Sequence, residues 1–290
     1  MHRLFLFFLC LTAGLFVISC SKRDSHCDVL VSIPPYLYFV QELTGGELHA
    51  VSLVPVGANP HLYDPTPKQV QTTKQAKLWI RLSENFEKKI AKSLQEQNPQ
   101  LHILNLADNL PLLPLQTDKE RCSCPHCFET ESKDLHIWLS VRLAQIQAEE
   151  IAQALIRAFP KKRDLIEGNL SKLKNKLTET DASFMKKLAP YRQEALLVSH
   201  PAFAYLCHDY DLRQVSIEID GKDPLPQQLS EIFQIAQTVK IRSVFTQSQY
   251  NNKGAELIAR KLELPIHEVD PYSPDYLNNL KHIVHLIAEP

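Results

Sequence analysis

The chain has 290 residues, with 32 Lys and Arg against 33 Asp and Glu. That length supports two domains or one large α/β domain and excludes a mini-protein held together by staples. The even charge balance, with no basic face in the sequence, excludes a nucleic-acid partner bound by phosphate neutralisation.

Residues 1–19 read as a signal peptide. Arg3 gives a positive start, Leu4 to Ile18 an apolar stretch too short to span a bilayer comfortably, and Val17-Ile-Ser-Cys20 a cleavage-type end. An ordinary signal ends in small residues without cysteine, whereas Val-Ile-Ser-Cys resembles the bacterial lipobox, which makes Cys20 the expected lipidation site. Residues 20–27 then form a lipidated tether, and the protein works at a membrane surface, periplasmic or on the cell surface, outside the reducing cytosol. Of the 7 cysteines, the mature chain keeps Cys27, Cys122, Cys124, Cys127 and Cys207 free of lipid. An odd number cannot all pair internally, which implies a free thiol or a metal-bound cluster.

In chain order, residues 28–160 alternate strands and helices. Strands are expected at Asp28–Ser32, Ala50–Val54, Leu78–Leu82 and Leu101–Leu106, with helices from Pro35 to Thr44, Pro67 to about Ala76 and Phe86 to about Leu94. Gly45-Gly46 stops the first helix, and Thr66-Pro67 starts the second, threonine capping free amides and proline losing nothing at the first helical position. The alternation is the signature of a parallel sheet covered on both faces. Residues 107 to 133 break it with a long proline-containing loop around Cys122-Ser-Cys-Pro-His126-Cys127. Ser140 then caps a helix from Val141 to Phe159.

Residues 161–189 read as one long connecting helix. No proline interrupts Lys161 to Leu188, and Ile166, Leu170, Leu173, Leu177, Phe184 and Leu188 step by three, four or seven. At about 1.5 Å per residue it spans about 40 Å, a whole domain's diameter, and so reads as a rigid strut. Residues 190–290 resume the alternation, with strands at Ala195–His200, Leu212–Ile219, Ser243–Thr246 and Ile266–Val269. Helices follow over Pro226–Val239 and Asn252–Leu262, and a last one opens at Ser273-Pro274.

Ligands of open α/β sheets sit beyond the carboxyl ends of the strands. His61 follows such an end, His200 and Asp270 terminate strands, and His136 precedes a capped helix. Three imidazoles and a carboxylate suit a four-coordinate zinc or a related divalent ion. Any one of the 12 histidines taken alone reads more readily as structural or exposed, and Asp270-Pro271 also fits a plain turn.

Gly57-Ala-Asn-Pro-His61-Leu-Tyr-Asp-Pro-Thr-Pro67 resembles the first ligand motif of the zinc/manganese solute-binding lipoproteins of ABC transporters. Asp134-Leu-His136-Ile-Trp-Leu-Ser140 resembles their second, Ser199-His200-Pro-Ala-Phe-Ala-Tyr205 their third, and Val269-Asp270-Pro271 their fourth. The matches fall in family order along nearly the whole mature chain. The resemblance implies two α/β lobes with parallel-type sheets, joined by one long rigid helix, with a metal site of His61, His136, His200 and Asp270 between them. It also implies a monomeric, non-enzymatic receptor that hands its ion to a membrane permease driven by a cytoplasmic ATPase. Zinc is favoured by the histidine at position 200, where manganese-preferring relatives tend to carry glutamate; manganese and iron are the alternatives. Two departures stand out. Gln247 replaces a common glutamate, which weakens the expected charge behind the second-lobe ligand. The loop at 107–133 carries Cys122, Cys124, His126 and Cys127, either an auxiliary metal-capturing set or a disulfide involving Cys27 or Cys207. A zinc-dependent hydrolase and a surface adhesin are the rival functions, although the sequence contains no His-Glu-x-x-His.

Overall fold

The computed structural model describes residues 26–115, 133–218 and 226–289. The signal segment, Cys20 and the Cys122, Cys124, His126 and Cys127 group lie outside the described residues. Among the described residues no helix is long and apolar enough to cross a membrane.

Two four-stranded, all-parallel sheets form the scaffold. The first contains β1 (Val29–Val31), β2 (Ala50–Ser52), β3 (Leu78–Arg81) and β4 (His102–Asn105), in the order β2-β1-β3-β4. The second contains β5 (Ala195–Val198), β6 (Arg213–Ser216), β7 (Ile241–Thr246) and β8 (Ile266–Glu268), in the equivalent order β6-β5-β7-β8. Each sheet therefore reverses its winding at its first strand, and the strand ends there face a crevice suited to ligands. All the expected strands are present, shorter by a residue or more at most ends because hydrogen-bonded pairing stops where the loops diverge.

The helices are α1 (Pro35–Thr44), α2 (Pro67–Thr72), α3 (Asn85–Gln97), α4 (Val141–Ala158), α5 (Arg163–Leu188), α6 (Ala204–Asp209), α7 (Pro226–Thr238), α8 (Lys253–Leu262) and α9 (Tyr276–Ala288). Gly45 ends α1 in a left-handed conformation at φ 60°, with its N–H donated to Gln41 O. The Thr66 start is a full capping box: Thr66 Oγ1 accepts from Gln69 N at 3.3 Å, and Gln69 Oε1 accepts from Thr66 N at 3.0 Å. Two expected starts differ. Pro160–Lys162 forms a separate 3₁₀ turn, so the long helix begins at Arg163. The last helix begins at Tyr276 rather than at Ser273-Pro274, after a turn in which Ser273 N bonds to Asp270 O.

Helix α5 buries Ile166, Leu173, Leu177, Thr180, Phe184 and Leu188 along one stripe and packs against α1, α4 and α9. Helix α9 also crosses back to the first half of the chain, where the Tyr276 ring meets Tyr38 and Phe39 of α1 at 5.5 and 5.0 Å. One hydrophobic core runs through both lobes, joining Leu30, Trp79 and Trp138 to Val198, Phe203 and Leu280. A second, smaller core around Leu197, Val215, Val244 and Ile258 covers the far face of the second sheet. Strand β5 shows the period-two logic directly: Leu196 and Val198 enter the shared core, Ala195 and Leu197 the outer one. Cys27 and Cys207 are buried thiols, free among the described residues, and the loop cysteines with which a disulfide was expected lie outside the described residues.

Candidate metal centre

Three loops at strand ends and helix starts deliver the site. His61 sits on the loop between β2 and α2, which turns at Gly57 with φ 82°, a backbone that glycine adopts without strain. Asn59 fixes this loop twice: its Oδ1 accepts from His61 N at 2.9 Å, and its Nδ2 donates to Gln249 O across the crevice at 3.3 Å. His136 stands before a 3₁₀ turn, Ile137–Leu139, that leads into α4. Ser140 caps that helix as expected, accepting from Leu143 N at 2.9 Å. Trp138 Nε1 donates to Pro271 O at 2.8 Å, and Tyr276 Oη donates to Trp138 O at 2.6 Å, so His136 is clamped to the second lobe. His200 follows β5, and its carbonyl accepts from Gln247 Nε2 at 3.2 Å.

The three imidazoles meet. His61 Nε2 lies 3.2 Å from His200 Nε2, which lies 3.4 Å from His136 Nε2. Tyr250 stacks on His200 at 3.9 Å between centroids, with the planes 11° apart, and fixes that ring. Among the described residues this is the one group of His, Cys, Asp and Glu side chains whose ligand atoms come close enough to share an ion.

Each ring also has a carboxylate on its other nitrogen. Asp134 Oδ1 is 2.7 Å from His136 Nδ1, Glu84 Oε2 is 3.5 Å from His61 Nδ1, and Glu218 Oε2 is 3.4 Å from His200 Nδ1. A carboxylate at Nδ1 favours the proton there, which leaves the Nε2 lone pair free. Three lone pairs then point at one small volume. Protons compete unequally for them. Burial, followed by the charges of His136 and His61, holds the pKa of His200 well below the usual histidine value. Burial works in the same direction on His61, but the hydrogen bond and charge of Glu84 outweigh it and raise that pKa. Glu84 responds reciprocally: burial opposes its ionisation, yet His61 holds its carboxyl below the usual range.

Asp270 stands outside this group. Its Oδ1 accepts from Gln249 Nε2 at 2.7 Å and from Tyr272 N at 2.8 Å, so it organises the turn after β8. Gln247 is fully buried and holds the His200 backbone, while Glu218 supplies the charge behind the His200 ring. Glu84 and Glu218 had no place in the sequence argument, although both lie just past strand ends, the position that singled out His200 and Asp270. A cavity of about 490 Å³ opens beside His61 and His136, lined among others by Glu84, Lys88, Asp108 and Lys133.

Residues 29–289 match the family described as zinc-uptake complex component A, periplasmic (ZnuA). A Chlamydia muridarum protein described as metal-binding is 30% identical over 263 residues, covering 90% of this chain and 91% of its own length. The zinc-binding lipoprotein AdcA of Streptococcus pneumoniae is 25% identical over 89% of this chain, which spans 53% of that longer protein. Among solved structures, a ZnuA crystal structure superposes with a TM-score of 0.80 at 30% identity, covering 90% of this chain and 98% of that one. The periplasmic zinc-binding protein TroA of Treponema pallidum shares the fold at a TM-score of 0.76 and 17% identity. With the family match spanning almost the whole described chain and the fold shared, the chain belongs to the ZnuA family of metal-binding, ABC-transporter solute-binding proteins.

Proposed function

We propose that the chain is an extracytoplasmic receptor that captures one divalent transition-metal ion at His61, His136 and His200 and releases it to a membrane permease with a cytoplasmic ATPase. The observation that carries this reading is the convergence of three Nε2 atoms, each with a carboxylate behind its ring. That is the arrangement in which imidazole is held neutral, oriented and more basic toward a metal. Three nitrogen donors favour zinc over manganese, with iron as a further alternative. AdcA is named a zinc-binding lipoprotein, and a Lactococcus lactis relative is described as a metal ABC transporter substrate-binding lipoprotein. Those names support a lipid anchor at Cys20 and delivery to a permease here. Asp270, expected as the fourth ligand, is assigned instead to holding the turn that carries Tyr272.

The reading makes the protein a carrier without catalysis. A three-histidine zinc site with an open fourth position also occurs in hydrolases, so family membership, rather than closed coordination, favours the receptor. Elemental analysis of protein purified from its own cell is the test, combined with competition titration of the mature chain. One tight zinc per chain, lost in His61→Ala, His136→Ala and His200→Ala, is expected. Stoichiometric zinc retained by the triple variant sinks the assignment, and ester or lactam hydrolysis that disappears with chelator returns the hydrolase.

A further inference from the structure

We propose that Tyr250 is a positioning residue of the metal centre, whose ring holds the His200 imidazole toward the ion and so slows the ion's release. This rests on the reading that His61, His136 and His200 hold the ion.

His200 is the central ligand of the three. Its Nε2 lies 3.2 Å from that of His61 and 3.4 Å from that of His136, so turning this one ring breaks both approaches. Support from behind is uneven. Asp134 Oδ1 stands 2.7 Å from His136 Nδ1 and 2.8 Å from His136 N, whereas Glu218 stands 3.4 Å from His200 Nδ1. The usual N–H···O range is about 2.7–3.2 Å, and a longer bond orients a ring weakly. The further constraint on His200 is Tyr250. The two rings lie 3.9 Å apart between centroids and 11° from parallel, so the imidazole cannot turn about its Cβ–Cγ bond without displacing the phenol.

Tyr250 is itself held. Its N donates to Gln247 O at 3.1 Å, Asn252 Nδ2 donates to the same carbonyl at 2.9 Å, and its hydroxyl lies 3.0 Å from that of Tyr272, which is 1% exposed. The loop 247–252 between β7 and α8 also reaches the other two ligands. Gln249 O accepts from Asn59 Nδ2 on the His61 loop at 3.3 Å, and the Tyr272 hydroxyl, beside that of Tyr250, is 3.3 Å from His136 Nε2. Gln249 Nε2 ties the loop to Asp270 Oδ1 at 2.7 Å. One short loop of the second lobe thus touches the support of every ligand.

An ion held by several donors leaves by losing them in turn. The His61 side chain is 32% exposed, against 3% and 8% for His136 and His200, so the site opens at His61. Full release needs a second ring to turn, and His136 is fixed by Asp134. His200 is therefore the second donor to leave, and the stacked Tyr250 ring opposes that step. Capture begins at the exposed His61 without turning His200, so the ring acts on release more than on capture.

The experiment compares the full mature chain with Tyr250→Phe, which keeps the ring, and Tyr250→Leu, which keeps bulk without an aromatic face. Zinc-loaded protein is mixed with excess chelator and release is followed by stopped flow. Cobalt(II)-loaded forms are compared by visible absorption, which reports donor geometry. Tyr250→Phe is expected to release zinc within about twofold of the wild-type rate and to keep the cobalt spectrum, because the stack survives. Tyr250→Leu is expected to release zinc about 3- to 10-fold faster, the scale of one aromatic contact, with an altered cobalt spectrum. Equal release rates from the two variants overturn the proposal. So does faster release from Tyr250→Leu with a wild-type cobalt spectrum, because the ring then does not orient His200. Tyr250→Ala repeats the comparison if leucine disturbs folding of the loop. His136→Ala separates the two levels: zinc bound by it as tightly as by the wild type refutes the three-histidine reading itself.

Discussion

Asp134→Asn separates the metal site from the fold. The Asp134 carboxylate is 1% exposed; Oδ1 accepts from His136 Nδ1 at 2.7 Å and from His136 N at 2.8 Å, and Oδ2 is buried with no partner. Asparagine keeps Oδ1 and both of these bonds while removing the charge. Loss of such a supporting charge weakens metal affinity by about 10- to 100-fold, or about 1.4–2.8 kcal/mol. In the metal-free protein the same change relieves a buried charge that lacks a full set of partners, so stability is unchanged or rises. At a free zinc concentration about 1,000 times the wild-type Kd, the ion stabilises the wild-type fold by about 4.1 kcal/mol. A 10-fold weaker variant keeps about 2.7 kcal/mol of that, and a 100-fold weaker one about 1.4 kcal/mol. Chemical denaturation in zinc buffer and in chelator measures both arms. If the metal-free variant is destabilised as much as the zinc-loaded one, Asp134 is a folding residue and the argument for its role at the ion fails.

His61→Ala and His200→Ala each abolish stoichiometric zinc binding while the chain stays folded, checked by elemental analysis beside circular dichroism. Apparent zinc affinity weakens on acidification, because metal binding requires neutral rings and Glu84 raises the proton affinity of His61; competition titration with a zinc-selective dye across pH follows it, and an affinity independent of pH contradicts it. Cys27 and Cys207 resist thiol reagents in the native chain and react after denaturation, because burial pushes the Cys27 thiol up to about 12 and raises that of Cys207 as well. Leu177→Ala on α5, fully buried in the shared core, costs about 2–5 kcal/mol in denaturant titration. Metal-free and zinc-loaded protein give matching small-angle scattering curves, since one core joins the lobes; a large difference excludes the rigid strut.

The fold was legible because its signals are local. Apolar runs of strand length, the Thr66-Pro67 start, the Gly45 stop and the seven-residue steps of Leu170, Leu177 and Phe184 each report on a few neighbouring residues. The three histidines were legible because a general rule, ligands beyond strand ends, placed them before any resemblance was invoked. Glu84 and Glu218 satisfy the same rule and were passed over, since a carboxylate behind a ring is recognisable only once the ring's orientation is known. The surroundings of Asp270 were not legible for a related reason: an aspartate after a strand serves equally as a ligand or as a turn anchor, and its bond to Gln249, 21 residues earlier in the chain, shows only in three dimensions. The return of α9 to α1 likewise depends on Tyr38, Phe39 and Tyr276 meeting in space, which no periodicity encodes.

The shared core explains how the centre can exist without its ion. The imidazole Nε2 atoms lie 3.2 and 3.4 Å apart, and in a flexible cleft the rings would turn away to find water. Here each ring is fixed from behind by a carboxylate, and the backbones beneath them are fixed as well. Asn59 ties the His61 loop to Gln249, Trp138 ties the His136 turn to Pro271, and Gln247 holds the His200 carbonyl. Two of those three ties cross between lobes, so lobe closure and ring placement depend on the same contacts. Stability and metal affinity are therefore coupled through residues that never touch the ion, and weakening the core between the lobes weakens the site even with every ligand in place.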